Sequence, residues 1–395
     1  MPAFGRSLLA EFPLDPSITY LNHGTVGVTP RRVLAVQQAI RDEIERQPSR
    51  FLLRELTAPA TSVGMPRAGT PRLRVAAHAV AAFLGAAGDD LVFVDNITTG
   101  ANAVLRSFPF APGDEILVTD LGYGGVTKAA QFAAREKGAT VRTVTMPWPP
   151  TPGTFADAIV DAVGPSTRLA IVDHISAESA LVLPLADISA RLRSKGVAVM
   201  ADGAHAPGAI PFRIAELGVD WYVANLHKWM WVPRSSGILW AAPERQASLQ
   251  PAVISWGLDE DFTTTFDLPG TRDPSSHLAA PAAVDLFHEW GLEAVRHYMH
   301  DLAWQAAQHV SQRWDTPFDT PASMIGTMAT VTLPATLGST REDAQRLRDA
   351  LLFEDGIEVP VHAYRDRLRA RISAQVYNDM DDIDRLAAAI LARLR

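Results

Sequence analysis

From about Val75 to Trp240 the chain repeats one unit, in which a short, largely unalternating apolar run is followed by a helical pattern. The runs are Leu91 to Val94, Glu115 to Val118, Val141 to Thr145, Leu169 to Val172, Val197 to Met200, Trp221 to Val223 and Gly237 to Trp240. Ala-rich helical patterns such as Val126 to Lys137 and Leu185 to Lys195 lie between several of them. A strand that is apolar at successive residues is buried on both faces, and the intervening helices supply the cover. The fold class is therefore α/β, with a mostly parallel sheet covered by helices. Ligands on such sheets bind beyond the carboxyl ends of the strands.

After Ser255 the pattern changes. Trp256 to Ser276, rich in Gly, Thr, Asp and Pro, reads as a connection. A single long helical pattern follows from about Ala279 to Trp314. Beyond it come a strand (Ala329 to Leu333), a helix (Arg341 to Leu352), strands at Ile357 to Val361 and Leu368 to Ser373, and a final helix from Met380. This predicts an N-terminal arm over 1–20, a large domain over 21–255 and a smaller α+β C-terminal domain over 256–395, with the arm packed against the latter. At 395 residues the chain exceeds one ordinary core.

Composition narrows the partners. With 47% hydrophobic and 20% charged residues, wholesale disorder is excluded. Net charge is −8, and no basic block is interleaved with aromatics, so no nucleic-acid partner is expected. The most apolar stretch, Val75 to Gly88, contains His78 and falls short of the ~18 residues that span a bilayer, so no membrane partner is expected. The start, MPAFGRSLLAEFPL, lacks the long apolar core of a secretory signal, and a cytoplasmic location is the expectation. There are no cysteines, which excludes disulfides, thiolate metal sites and a cysteine nucleophile. No metal site is expected.

Three loops after the apolar runs carry polar groups. Asp202 ends Val-Ala-Val-Met-Ala-Asp-Gly-Ala-His. An acid past a buried strand is costly to bury without a cationic partner, and a protonated pyridine nitrogen is one such partner. Alone, Asp202 reads more readily as a helix N-cap, and His205 equally as a loop histidine. Lys228 follows an apolar strand and is flanked by Trp229 and Trp231. Such surroundings depress an ammonium's pKa and free the amine for a Schiff base, although a snorkelling loop lysine is the plainer alternative. Asn225 and His227 beside it are suited to phosphate. Asn96-Ile-Thr-Thr-Gly-Ala-Asn102 opens a helix, where hydroxyls and free N–H groups make an anion site or, equally, routine capping. The order carries the argument: a phosphate-type helix start, an acid past a later strand, and a lysine 26 residues beyond it.

Asp202-Gly-Ala-His205 followed by His227-Lys228 resembles the class V aminotransferase superfamily of pyridoxal-phosphate (PLP) enzymes of fold type I. Tyr20-Leu-Asn-His-Gly-Thr-Val-Gly27, Arg50-Phe-Leu-Leu-Arg-Glu-Leu56, Asn96 to Asn102 and Arg371-Ile-Ser-Ala-Gln-Val-Tyr-Asn378 look, within it, like isopenicillin N epimerase-like proteins. The resemblance implies PLP held as a Schiff base on Lys228, with Asp202 on its pyridine nitrogen and His205 near its phenolic oxygen. Thr98, Thr99, Asn225 and His227 match phosphate-side positions. Tyr123 falls where an aromatic ring stacks on the cofactor, though alone it is an ordinary turn tyrosine. Gly270-Thr-Arg-Asp273 looks like the segment that reaches the neighbouring subunit's phosphate, which implies a homodimer with Thr271 as the donor. Arg371 matches the arginine that grips the substrate carboxylate, for which a guanidinium fork is suited. Asn22, His23 and Arg54 are expected on the substrate side.

One segment departs from that family. His174-Ile-Ser-Ala-Glu-Ser-Ala-Leu-Val-Leu-Pro184 resembles a stretch that usually carries more Thr and Pro around its middle. Glu178 there is a solvated loop acid or a contact to a basic substrate group. The resemblance implies an amino-acid substrate whose Cα proton Lys228 removes. Epimerisation, loss of a β-substituent or transamination can follow. A desulfurase that stores sulfur as an enzyme persulfide is excluded without a thiol, whereas a C–S lyase releasing sulfur directly is not. The expected function is epimerase-like, with C–S lyase or aminotransferase as alternatives. A PLP-binding protein without catalysis is a remote one, against which Asp202, Lys228 and Arg371 argue together.

Overall fold

The computed structural model describes residues 2–59 and 69–394. All seven apolar runs are strands of one sheet: β1 (Leu91–Val94), β2 (Glu115–Thr119), β3 (Thr140–Val144), β4 (Thr167–Asp173), β5 (Ala198–Asp202), β6 (Trp221–Asn225) and β7 (Gly237–Ala241). Their order is β1-β7-β6-β5-β4-β2-β3. The strands from β3 to β6 are parallel, and β7 is antiparallel to both of its neighbours. Cover on both faces explains the unalternating pattern. Phe93, Leu117, Val172, Val199 and Tyr222 face one buried cluster, and Val94, Val118, Ile171, Met200 and Val223 face a second. β5 carries Ala and Met, which favour helix. Strand propensities differ by only about 1 kcal/mol, whereas burying Val199 and Met200 on opposite faces contributes roughly 1.5–3 kcal/mol each. Position in the sheet prevails.

Helices α1 (Ile97–Ser107) and α2 (Gly124–Lys137) follow β1 and β2. The pattern expected as one helix from Ala279 to Trp314 is two, α3 (Ala280–Trp290) and α4 (Leu292–Trp314), broken at Gly291. Gly291 has φ 81°, which a right-handed helix cannot contain and which glycine adopts at little cost. Farther on, β8 (Met328–Thr332), β9 (Val361–Tyr364) and β10 (Arg367–Ser373) form an antiparallel sheet in the order β9-β10-β8.

Packing changes later than residue 256. Ala280, Phe287, Trp290, Val295 and Met299 belong to the core of the large sheet, while Leu302, Val310, Val331, Leu351 and Ile372 form a separate core around the small one. The changeover lies within α4, because the apolar stripe of one long helix reaches the first core with its early turns and the second with the rest.

The N-terminal arm touches both parts: Leu8 and Phe12 are buried in the core of the large sheet, and its later residues reach the C-terminal part. Thr19–Tyr20 pairs in parallel with Ile357–Glu358, and the Gly5 N–H donates to the Val376 carbonyl at 2.8 Å. The chain then crosses back over the loop that follows β6. There Gly27, at φ 66°, passes so close to His227 that a Cβ would stand 1.8 Å from the His227 carbonyl oxygen. Among the described residues no helix is long and apolar enough to cross a membrane.

Candidate active site

β4, β5 and β6 end side by side on Asp173, Asp202 and Asn225, with Asp173 and Asp202 in register. α1 starts at the same edge. The Asn225 Oδ1 accepts the Ile97 N–H at 2.9 Å, and the Asn96 Oδ1 accepts the Thr99 N–H at 3.0 Å. Thr99 is thus taken up in capping, and Thr98 is the threonine of this turn that lines the cavity beyond. Asn225 lines it too, but its oxygen is committed to seating the helix start.

Lys228 lies just past β6, in a turn whose Trp229, Met230, Trp231 and Val232 are fully buried. Trp231 has φ 59°, a backbone state that a bulky residue holds only where packing over-determines it, and its ring stacks on Phe287 at 4.0 Å. The His23 Nε2–H donates to the Lys228 carbonyl at 3.0 Å, and His23 Nδ1 accepts from the Tyr377 hydroxyl at 2.9 Å. Burial lowers His23 to about 4, which keeps it neutral. His23 therefore clamps the lysine's main chain from beneath and does not face the substrate side.

The lysine side chain enters the cavity, with Nζ 3.1 Å from His205 Nε2. Burial, reinforced by Arg371 and opposed by Asp202, pulls the amine down to about 7. Burial lifts Asp202 to about 6, against the Ala204 N–H and the charge of Lys228. Its Oδ1 accepts the Ala204 N–H at 3.0 Å, but Oδ2 is buried without a partner, as is His205 Nδ1. A buried polar atom left unpaired costs roughly 1–3 kcal/mol, and more when charged, so both atoms mark places built for a ligand.

Arg371 enters from β10 and is buried. Its Nη2 donates to the Thr25 hydroxyl at 2.6 Å and to Asn22 Oδ1 at 3.4 Å, Nη1 donates to the Ala177 carbonyl, and Nε has no partner. Burial lowers the guanidinium to about 10, and it stays cationic at neutral pH. Asn22 does not line the cavity; it braces Arg371 and donates to Glu358 at 2.7 Å. His227 donates from Nδ1 to the Ser236 carbonyl at 3.2 Å, which leaves Nε2 as its available nitrogen.

Lys228, Asp202, His205, His227, Asn225, Thr98, Tyr123 and Arg371 share one cavity of about 460 Å³, well inside the about 300–1,000 Å³ of small-molecule sites. Five expected residues do not line it: Thr99, Asn22 and His23, which brace its walls, and Arg54 and Thr271, which stand apart. Arg54 is exposed and donates to the Ser49 carbonyl, and Thr271 lines a different cavity of about 240 Å³ with Leu53 and Trp256. Three polar or ionisable residues that the sequence did not single out do line the first cavity: Thr25, Asp173 and His362. Asp173 carried the same signal as Asp202, an acid ending an apolar run. Burial and the neighbouring Asp202 push its carboxyl well up, toward the proton-bearing form. His362 had no such signal, because β9 delivers it from a distant part of the chain.

These groups fit PLP. Asp202 Oδ2 would take the pyridine nitrogen, His205 Nδ1 a ring oxygen, Thr98 with the start of α1 and His227 the phosphate, and the Lys228 amine would carry the cofactor. A buried lysine with a lowered pKa and an acid with a free oxygen, both at the carboxyl edge of a mostly parallel sheet, are the arrangement a PLP enzyme of fold type I requires. The chain belongs to the class-V aminotransferase family, whose model matches residues 64–386, and it is a PLP-dependent enzyme. It is 32% identical to the isopenicillin N epimerase of Amycolatopsis lactamdurans, over 96% of each chain. It is 30% identical to a probable chloroplastic L-cysteine desulfhydrase of Arabidopsis thaliana, over 96% of this chain and 84% of that one. The solved complex of a cystine C–S lyase with its product, cysteine persulfide, shares the fold with a TM-score of 0.78 at 24% identity, over 98% of both chains.

Proposed function

We propose that this enzyme removes and returns the Cα proton of a free α-amino acid, inverting its configuration. The observation that carries this reading is a single cavity holding a lysine whose amine burial lowers to about 7 and a buried arginine with an unpaired Nε. Arg371 holds the substrate carboxylate and so orients the Cα–H bond. Lys228 takes the proton, and His205, 3.1 Å from its nitrogen and held neutral by burial, accepts a hydrogen bond from the amine. PLP, when bound, supplies the sink that makes this proton removable. Tyr123 and His362 line the same cavity, so groups other than Lys228 are at hand to return the proton. Likeness to isopenicillin N epimerases over almost the whole chain supports inversion.

The likeness to L-cysteine desulfhydrases favours a second reading, C–S lysis with sulfur released directly, since no thiol is present to store it. Incubation with L- and D-amino acids in deuterated water separates the two. Inversion gives deuterium at Cα with no keto acid. Lysis of a cysteine-like substrate gives a keto acid and free sulfide. No exchange with any amino acid, from fully PLP-loaded protein, overturns both.

We also propose that the enzyme is a homodimer. Thr271 lines a cavity with Leu53 and Trp256, both exposed, Trp256 by 67%, and Val253, Ile254 and Leu258, close to Trp256 in the chain, are exposed as well. Scattered single apolar residues need no explanation, whereas a group of this kind does. A two-fold copy seated there would bury it and bring Thr271 toward the other subunit's site. Light scattering is expected to give twice 42.8 kDa. A 42.8 kDa particle with full activity at dilution rejects the dimer.

A further inference from the structure

The loop after β4 carries an acid held in place on the rim of the Lys228 cavity. Bridges pair Ile175 with Val182 and Leu181 with Ile325, and Ala180 has φ 58°. The Glu178 carbonyl accepts the Thr330 hydroxyl at 2.8 Å, and the preceding carbonyl, that of Ala177, accepts from Arg371. The main chain on both sides of the Glu178 side chain is therefore fixed, while that side chain is 65% exposed at the cavity mouth. Among the described residues its ion-pair partner is His362, with Nδ1 3.9 Å from Oε1. Burial holds that imidazole below its ordinary value, and Arg371 adds to the effect against the pull of Glu178. The nearby cation, Arg371, spends its hydrogen bonds on the uncharged Ala177 carbonyl, Thr25 hydroxyl and Asn22 amide, and the charge of Glu178 supports it without a direct ion pair. The Glu178 carboxylate, on the cavity lining and largely exposed, also faces whatever enters the cavity.

Building on the α-amino-acid reading above, we propose that Glu178 determines side-chain specificity and selects α-amino acids whose side chain ends in a cation, as in ornithine or lysine. The residue next to it anchors the arginine assigned to the substrate carboxylate, so a side chain leaving Cα toward the cavity mouth passes this acid. A terminal ammonium there gains a partner that is partly screened from water. A terminal carboxylate meets a like charge.

The competing role is electrostatic support of Arg371, and titration of PLP-loaded protein distinguishes the two. Wild type and E178Q are titrated with ornithine, lysine, their neutral counterparts norvaline and norleucine, and glutamate. Dissociation constants are read from the cofactor's absorbance, and Cα deuterium exchange is read separately. Wild type is expected to bind each basic amino acid about fivefold or more tighter than its neutral counterpart, as a partly exposed ion pair allows. In E178Q that ratio should fall to near one, with glutamate gaining. Equal affinities in wild type, or an E178Q that weakens all five ligands and keeps the ratio, overturn the proposal. A basic preference lost in E178Q without Cα exchange for any ligand supports it, while overturning the inversion reading.

Discussion

Lys228→Ala is expected to give a folded protein that binds PLP without a covalent link and exchanges Cα protons at least about 10³-fold more slowly, the scale of losing a positioned base. Borohydride should fix the cofactor to the wild-type peptide containing Lys228 and to nothing in the variant. The fold should survive, because the amine makes no ion pair on which its neighbours depend and the truncated side chain opens onto an existing cavity. Its titration adds a pH signature. Burial moves the amine from 10.5 down to about 7. The protonated form cannot attack a carbonyl, so cofactor capture by the unloaded enzyme should be slow below pH 7, rise through about 7 and then level off. An ordinary lysine would still be gaining reactivity at pH 10. A wild-type protein that stays colourless after incubation with PLP would sink the assignment.

Arg371→Ala should lower kcat/KM for any α-amino acid by about 2–5 kcal/mol, roughly 30-fold to several thousandfold, as expected when one partner of a buried charge pair is removed. The corresponding amine lacking the carboxylate should bind wild type and variant alike. Arg371→Lys should not restore activity. One ammonium cannot span the Ala177 carbonyl, the Thr25 hydroxyl and Asn22 while also presenting a fork to the substrate. A variant within threefold of wild type would show that the carboxylate is held elsewhere.

The sheet could be read from the sequence because burial on both faces leaves a one-dimensional trace: successive apolar residues in runs too short for helices. Asp202 and Lys228 could be read for a related reason, since a charged group directly after such a run has nowhere to go except the ligand edge. Side-chain direction within a loop leaves no such trace. His23 belongs to a motif beside the site, yet its ring turns under Lys228 to bond that residue's carbonyl, a choice set by Tyr377 and Trp229 from elsewhere in the chain. Thr98 and Thr99 are adjacent and chemically alike, and only the Asn96 cap decides which of them lines the cavity. His362 was out of reach of any local pattern, because β9 meets the site only after the small sheet is built. The change of core within α4 was hidden too, since a helix shared by two cores keeps one continuous apolar stripe.

That helix is also a mechanical element. Its 23 residues make a rod about 35 Å long, with early turns embedded in one core and later turns in the other. Two bodies pinned to the same rod cannot swing apart unless its hydrogen-bond ladder snaps or its apolar stripe peels away from a core. The relative motion expected of them is shear, a small sliding of packed side chains, rather than a hinge. Arg371, on one body, and Lys228, on the other, are therefore expected to keep their spacing between turnovers, so that each amino acid meets both groups already in position.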